Sequence, residues 1–69
     1  MAERRRTIAR RMTPEELRAF RKKHGLSQRD LAELLGVSAG TVADWETGRN
    51  RIPRYLHFVL NCLEKEEIL

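Results

Sequence analysis

Residues 26–53 read LSQRDLAELLGVSAGTVADWETGRNRIP, and the punctuation of this stretch decides the fold. Only Gly36, Val37 and Ser38 separate two short segments of helical apolar spacing. Ser27 opens the first, where its hydroxyl can accept from a backbone N–H of the first turn. Asp30 stands at the position that a capping box fills with Glu or Gln, which makes this the weaker form of the box. Ser38 opens the second segment in the same manner. An apolar residue precedes each serine and another follows four positions after it: Leu26 with Leu31, Val37 with Val42. That is the spacing of a hydrophobic staple. Gly36 and Gly48 stand where a left-handed residue closes a helix. The spacing predicts helices over residues 28–35 and 39–46. A connection this short, opening on glycine, suits two short helices that cross steeply. Ala32 is expected where they come closest, with Leu31, Leu35, Val37, Val42 and Trp45 fixing the angle. Trp45 lies on the face of Val42 and is expected in the core, with a stacking platform for a base as the alternative.

The flanks use the same grammar. Thr13-Pro14-Glu15-Glu16 is a capping box with proline at the first helical position, and Met12 with Leu17 repeats the staple. Arg21, Lys22, Lys23 and His24 then place positive charge beside the negative end of a helix dipole, before Gly25 ends it. This predicts a helix over residues 14–24. A further helix is expected after Pro53, to about Lys65. No segment alternates with the period of a strand, so the fold class is all-α, with four helices or five. Residues 1–12 read as a flexible arm, 13–65 as the folded domain and 66–69 as a tail.

The net charge of +4 is unevenly placed. Arg4, Arg5, Arg6, Arg10 and Arg11 face only Glu3 within the first twelve residues, and the remainder of the chain balances to zero. Such arms commonly meet nucleic acid; a solubilising tail is the plainer alternative. Cys62 is the single cysteine, so no internal disulfide is expected and a reducing, cytoplasmic setting suits the chain. No run approaches the ~20 apolar residues of a membrane span. His24, His57 and Cys62 lack the paired spacing of a zinc site, and the glycines form no phosphate loop. Cys62 reads as a small core or interface residue. The carboxylates fall at caps and helix surfaces. No active site, cofactor, metal or small-molecule ligand is expected.

With these residues in view, the run Leu-Ser-Gln, Leu31-Ala32, Leu35-Gly36-Val37-Ser38, Thr41-Val42, Trp45-Glu46, Gly48 and Pro53 resembles the phage-repressor helix-turn-helix family. That family takes in the Cro and CI repressors and the xenobiotic-response-element regulators, and the likeness spans roughly residues 13–60. The resemblance implies that the third helix enters the major groove of double-stranded DNA while the second crosses the backbone. It further implies phosphate contact at Gln28 with its neighbour Arg29, and base or backbone contact at Ser38, Ala39, Gly40, Thr41 and Asp44. Arg49, Asn50, Arg51 and Arg54 match positions that meet phosphates or the minor groove. Ala39 and Gly40 depart from the long amides of better-known members. Asp44 could accept from a cytosine amino group or pair with a nearby arginine. The arginines of the arm are expected on the DNA backbone or in a narrow minor groove.

On a helical wheel, the apolar residues of 54–65 cover about 200°, more than one small domain needs. A homodimer through Tyr55, Phe58, Val59, Cys62, Ile68 and Leu69 is expected, against a tail that folds back over the same arc. The function expected is a homodimeric repressor, bacterial or phage-encoded, acting at a palindromic operator by promoter occlusion. A protein-interaction module that keeps the fold as scaffold is the alternative.

Overall fold

The computed structural model describes residues 11–68 of the chain. Every regular element among them is an α-helix: α1 (Pro14–Lys23), α2 (Gln28–Leu35), α3 (Ala39–Thr47) and α4 (Arg54–Lys65). The first three belong to a unit of residues 13–51; α4 belongs to a second unit, with Met12 and Ile52.

Local chemistry sets the helix starts. Thr13 Oγ1 accepts from the Glu16 amide at 3.1 Å, and Glu16 Oε1 accepts from the Thr13 amide at 3.0 Å. The shorter Asp30 closes its box as well, with Oδ2 accepting from the Ser27 amide at 3.1 Å and Ser27 Oγ from the Asp30 amide at 3.0 Å. Ser38 Oγ accepts from the Thr41 amide at 3.1 Å. Together these side chains satisfy amides that a helix leaves without internal partners.

The ends are also alike. Leu26 donates to the Arg21 carbonyl at 2.9 Å, Val37 to Ala32 at 3.0 Å and Arg49 to Asp44 at 2.9 Å. These are the closing bonds of Schellman turns. Gly36 (φ 75°) and Gly48 (φ 80°) occupy the left-handed region that the turns require. Helix α1 stops one residue short of the expected end, because His24 leaves helical geometry at φ −100°, ψ 7°. Helix α3 runs one residue further, to Thr47.

In the first unit α3 packs on both α2 and α1. Leu17, Leu31 and Val42 are fully buried, with Ala32 and Trp45 beside them in the core. Each such aliphatic side chain contributes about 1.5–3 kcal/mol by leaving water. Val37 does not join them; it is 37% exposed, since the turn after Gly36 faces outward at that point. In the second unit Met12, Ile52, Leu56 and Leu60 are buried, and Arg11 Nη1 donates to the Ile52 carbonyl at 2.6 Å.

The carboxylates do not all lie at caps and surfaces, as the sequence suggested. Glu46 is only 4% exposed, on the same inward face of α3 as Val42 and Trp45. Burial of a lone carboxylate is costly, so it needs partners. Arg21 supplies a fork: Nε reaches Glu46 Oε2 at 2.7 Å and Nη2 reaches Oε1 at 2.9 Å. Gln28 Nε2 donates to Oε1 at 3.2 Å. Arg18 Nη2 donates to the Glu46 carbonyl at 2.8 Å, and Arg21 Nη1 to the Leu26 carbonyl at 3.1 Å. This cluster links α1, the loop after it, α2 and α3. The Arg21 bonds hold the Glu46 carboxyl below the usual carboxylate range, against the upward push of burial. They raise Arg21 in return.

Replacing Glu46 by Gln should cost about 3 kcal/mol at neutral pH, because it leaves Arg21 without its counter-charge. A carboxylate with a lowered folded pKa stabilises above its unfolded value of about 4.3 and loses that contribution as pH falls through the folded value. Urea melts from pH 7 downward should therefore show the gap between wild type and Glu46→Gln closing below about pH 4. A gap that is constant with pH would show that the charge on Glu46 does not matter.

Candidate nucleic-acid interface

Because Val42, Trp45 and Glu46 point inward, helical geometry turns Gly40, Asp44 and Thr47 outward. Gly40 and Thr47 are exposed, and Ala39, Thr41, Ala43 and Asp44 are half-buried. The outward surface of α3 is therefore low, built of short side chains. The Ser38 and Thr41 hydroxyls lie 2.9 Å apart and bond to each other. Trp45 is a core residue, not a platform for a base.

The turn after α3 carries the cations. Arg49, Asn50 and Arg51 are exposed. The backbone of Arg49 and Asn50 is anchored on Asp44, whose carbonyl accepts from the Arg49 amide at 2.9 Å, the Asn50 amide at 3.3 Å and Thr47 Oγ1 at 3.2 Å. Asn50 Nδ2 also reaches Asp44 Oδ2 at 3.3 Å. The Asp44 carboxylate thus meets a neutral amide rather than the arginine that was the other expectation. An exposed guanidinium pair on a fixed turn suits phosphate oxygens, which it can bind in forked geometry.

The remaining expected residues divide. Arg29 is exposed on α2. Gln28 is half-buried, and one of its amide hydrogens is committed to Glu46, so its side chain is held rather than loose. Arg54 is exposed at the first position of α4. Arg11 is half-buried and bonded to Ile52, whereas Arg4, Arg5, Arg6 and Arg10 lie outside the described residues.

On α4, Tyr55, Phe58 and Cys62 are exposed, as is Ile68 beyond it, and Val59 is half-buried. Cys62 is therefore not a core residue. Leu56 and Leu60 take the buried side, and the outward apolar side is left uncovered. Leu69 lies outside the described residues. No helix among the described residues is long and apolar enough to cross a membrane.

Sequence reasoning missed Arg18, Arg21 and Glu46 as one cluster. A signal was present: Glu46 follows Trp45 on the face that Val42 buries, and a carboxylate there demands a cation. Arg18 and Arg21, three residues apart on α1, share one face and could supply it.

A family model described as Helix-turn-helix matches residues 17–55 of the chain. No curated protein and no solved structure matches it. The matched span opens at the core leucine of α1 and closes just inside α4, so it contains the charged cluster, α2, α3 and the arginine turn.

A Cβ added at Gly40 would meet only Ser38 Oγ, at 3.8 Å, so the chain's own packing does not demand glycine there. Gly40→Ala should stabilise the protein by about 1 kcal/mol. Thermal unfolding followed by circular dichroism should show a midpoint about 4–8 °C higher. A lower midpoint would mean that α3 is strained at this position.

Proposed function

Because the chain belongs to the Cro/CI-type helix-turn-helix family of DNA-binding regulators, we propose that it is a sequence-preferring homodimeric repressor. The observation that carries this reading is the outward face of α3, low and free of bulky groups, followed directly by a fixed turn of exposed arginines. A low helix face fits the major groove, about 12 Å wide, and the arginines fit its phosphate walls. In this reading Ser38, Ala39, Gly40, Thr41 and Asp44 approach base edges. Gln28, Arg29, Arg49, Asn50, Arg51 and Arg54 meet the backbone or minor groove. Arg4, Arg5, Arg6, Arg10 and Arg11 extend the contact to the backbone or minor groove.

The uncovered apolar side of α4 supports the dimer. Phe58, at 56% exposed, and its neighbours Tyr55, Val59, Cys62 and Ile68 would meet their twins across a two-fold axis. Two copies of α3 then face half-sites about one turn of duplex apart, which makes the operator palindromic. Occupancy of a promoter, the protein's own included, suffices to exclude polymerase. The setting is the cytoplasm of a bacterium, with the gene carried by the host or by a phage.

A gel shift with the full chain on random duplex tests the DNA reading. With about six phosphates neutralised, affinity should fall about a thousandfold between 50 and 200 mM salt. Removal of residues 2–10 should weaken binding and flatten that dependence. A chain that ignores duplex at low salt would favour the protein-interaction module instead. For the dimer, light scattering should give twice the monomer mass, and Phe58→Glu should halve it without loss of helicity. A wild-type monomer at operator-binding concentrations would remove the two-fold model.

A further inference from the structure

We infer that Asp44 makes the α3 surface select a base with an exocyclic amino group in the major groove, cytosine before adenine. The inference rests on the DNA-binding reading above and specifies which base that surface accepts.

Two charged residues occur in α3, and both are acids. Glu46 is turned inward and matched by Arg21. Asp44 is turned outward, and its carboxylate accepts from the uncharged Asn50 amide. No cation of α3 offsets it, so the surface that faces DNA bears one negative charge at its second turn. Phosphates repel that charge, and a carboxylate contributes acceptors only. Guanine presents N7 and O6, thymine presents O4, and each meets a carboxylate acceptor to acceptor. Cytosine N4 and adenine N6 are the amino donors on the major-groove edge. Adenine sets N7 beside its amino group, which opposes the second carboxylate oxygen, whereas cytosine has no such acceptor. Cytosine is therefore preferred.

Geometry favours the same outcome. The Asp44 carbonyl is fixed by the Arg49 and Asn50 amides and by Thr47, and Asn50 Nδ2 steadies the carboxylate itself. Aspartate is short, so it reaches a base edge only if the helix comes close. Gly40, one turn earlier on the same face, has no side chain to hold the helix away. The Ser38 and Thr41 hydroxyls are bonded together. A short acceptor and a cleared helix face are complementary features.

Selection of bound sites from random duplex, carried out with wild type, Asp44→Ala and Asp44→Asn, tests this. Wild type should enrich cytosine at one position of the site by about fivefold or more. Asp44→Ala should lose that enrichment and bind scrambled duplex more tightly, because an anion has gone. Asp44→Asn should move the same position toward adenine, which an amide reads in two places. The turn's backbone rests on the Asp44 carbonyl, which every variant keeps, so all three proteins should fold and melt cooperatively, Asp44→Ala losing only the exposed Asn50 side-chain bond. Equal base frequencies for wild type and Asp44→Ala would overturn the inference and leave DNA binding intact. So would an alanine variant that binds every duplex more weakly. Failure of the wild type to bind any duplex would overturn both readings.

Discussion

The forked bond between Arg21 and Glu46 fixes how α3 is rotated about its own axis. A buried carboxylate has few acceptable environments, and here one guanidinium satisfies both oxygens while also holding the Leu26 carbonyl. With Glu46 pinned inward, Val42 and Trp45 follow on the same face, and Gly40, Asp44 and Thr47 must turn outward. Apolar packing alone would tolerate small rotations, since contact area changes gradually. A charge-assisted fork has preferred angles as well as distances, so it sets the rotation more sharply. In this sense the ion pair is an orienting device, whatever its net contribution to stability.

Given that orientation, the proposed function divides binding and reading of DNA between different residues. The cations sit after α3, on a turn whose backbone hangs from the Asp44 carbonyl. The helix itself offers short groups and one carboxylate. Affinity from arginines on phosphates carries no sequence information, whereas a short acceptor on a cleared face carries some. Limited direct reading by α3 leaves room for DNA shape to contribute, through the arginines that follow it and the basic N-terminal residues.

Most of the first unit was readable in the sequence because its helices are delimited locally. Thr13, Ser27 and Ser38 act on amides three residues away, and Gly36 and Gly48 act on the turn they occupy, so no distant contact is needed to place them. Even Asp30, a weaker capping residue on paper, completes its box. What escaped was non-local. Glu46 looked like a surface carboxylate until α1 was packed against α3. The second partner of Gln28, Glu46 at 3.2 Å, was likewise invisible before α2 and α3 were packed together. Val37 was assigned to the apolar contacts by residue type, and its exposure depends on how the Gly36 turn faces; for Cys62, read as core or interface, exposure removes the core alternative. The excess apolar arc of α4 was visible from periodicity alone, and the structure leaves Tyr55 and Phe58 in the open.

The claim that α3 presents a DNA-reading face can be checked residue by residue. The 69-residue chain labelled with ¹⁵N and titrated with a short duplex should shift the amides of residues 38–41, 44 and 48–51, with Val42 and Trp45 following weakly from behind. Those amides staying in place while α4 responds would contradict the account, because the duplex would then be held by a different surface.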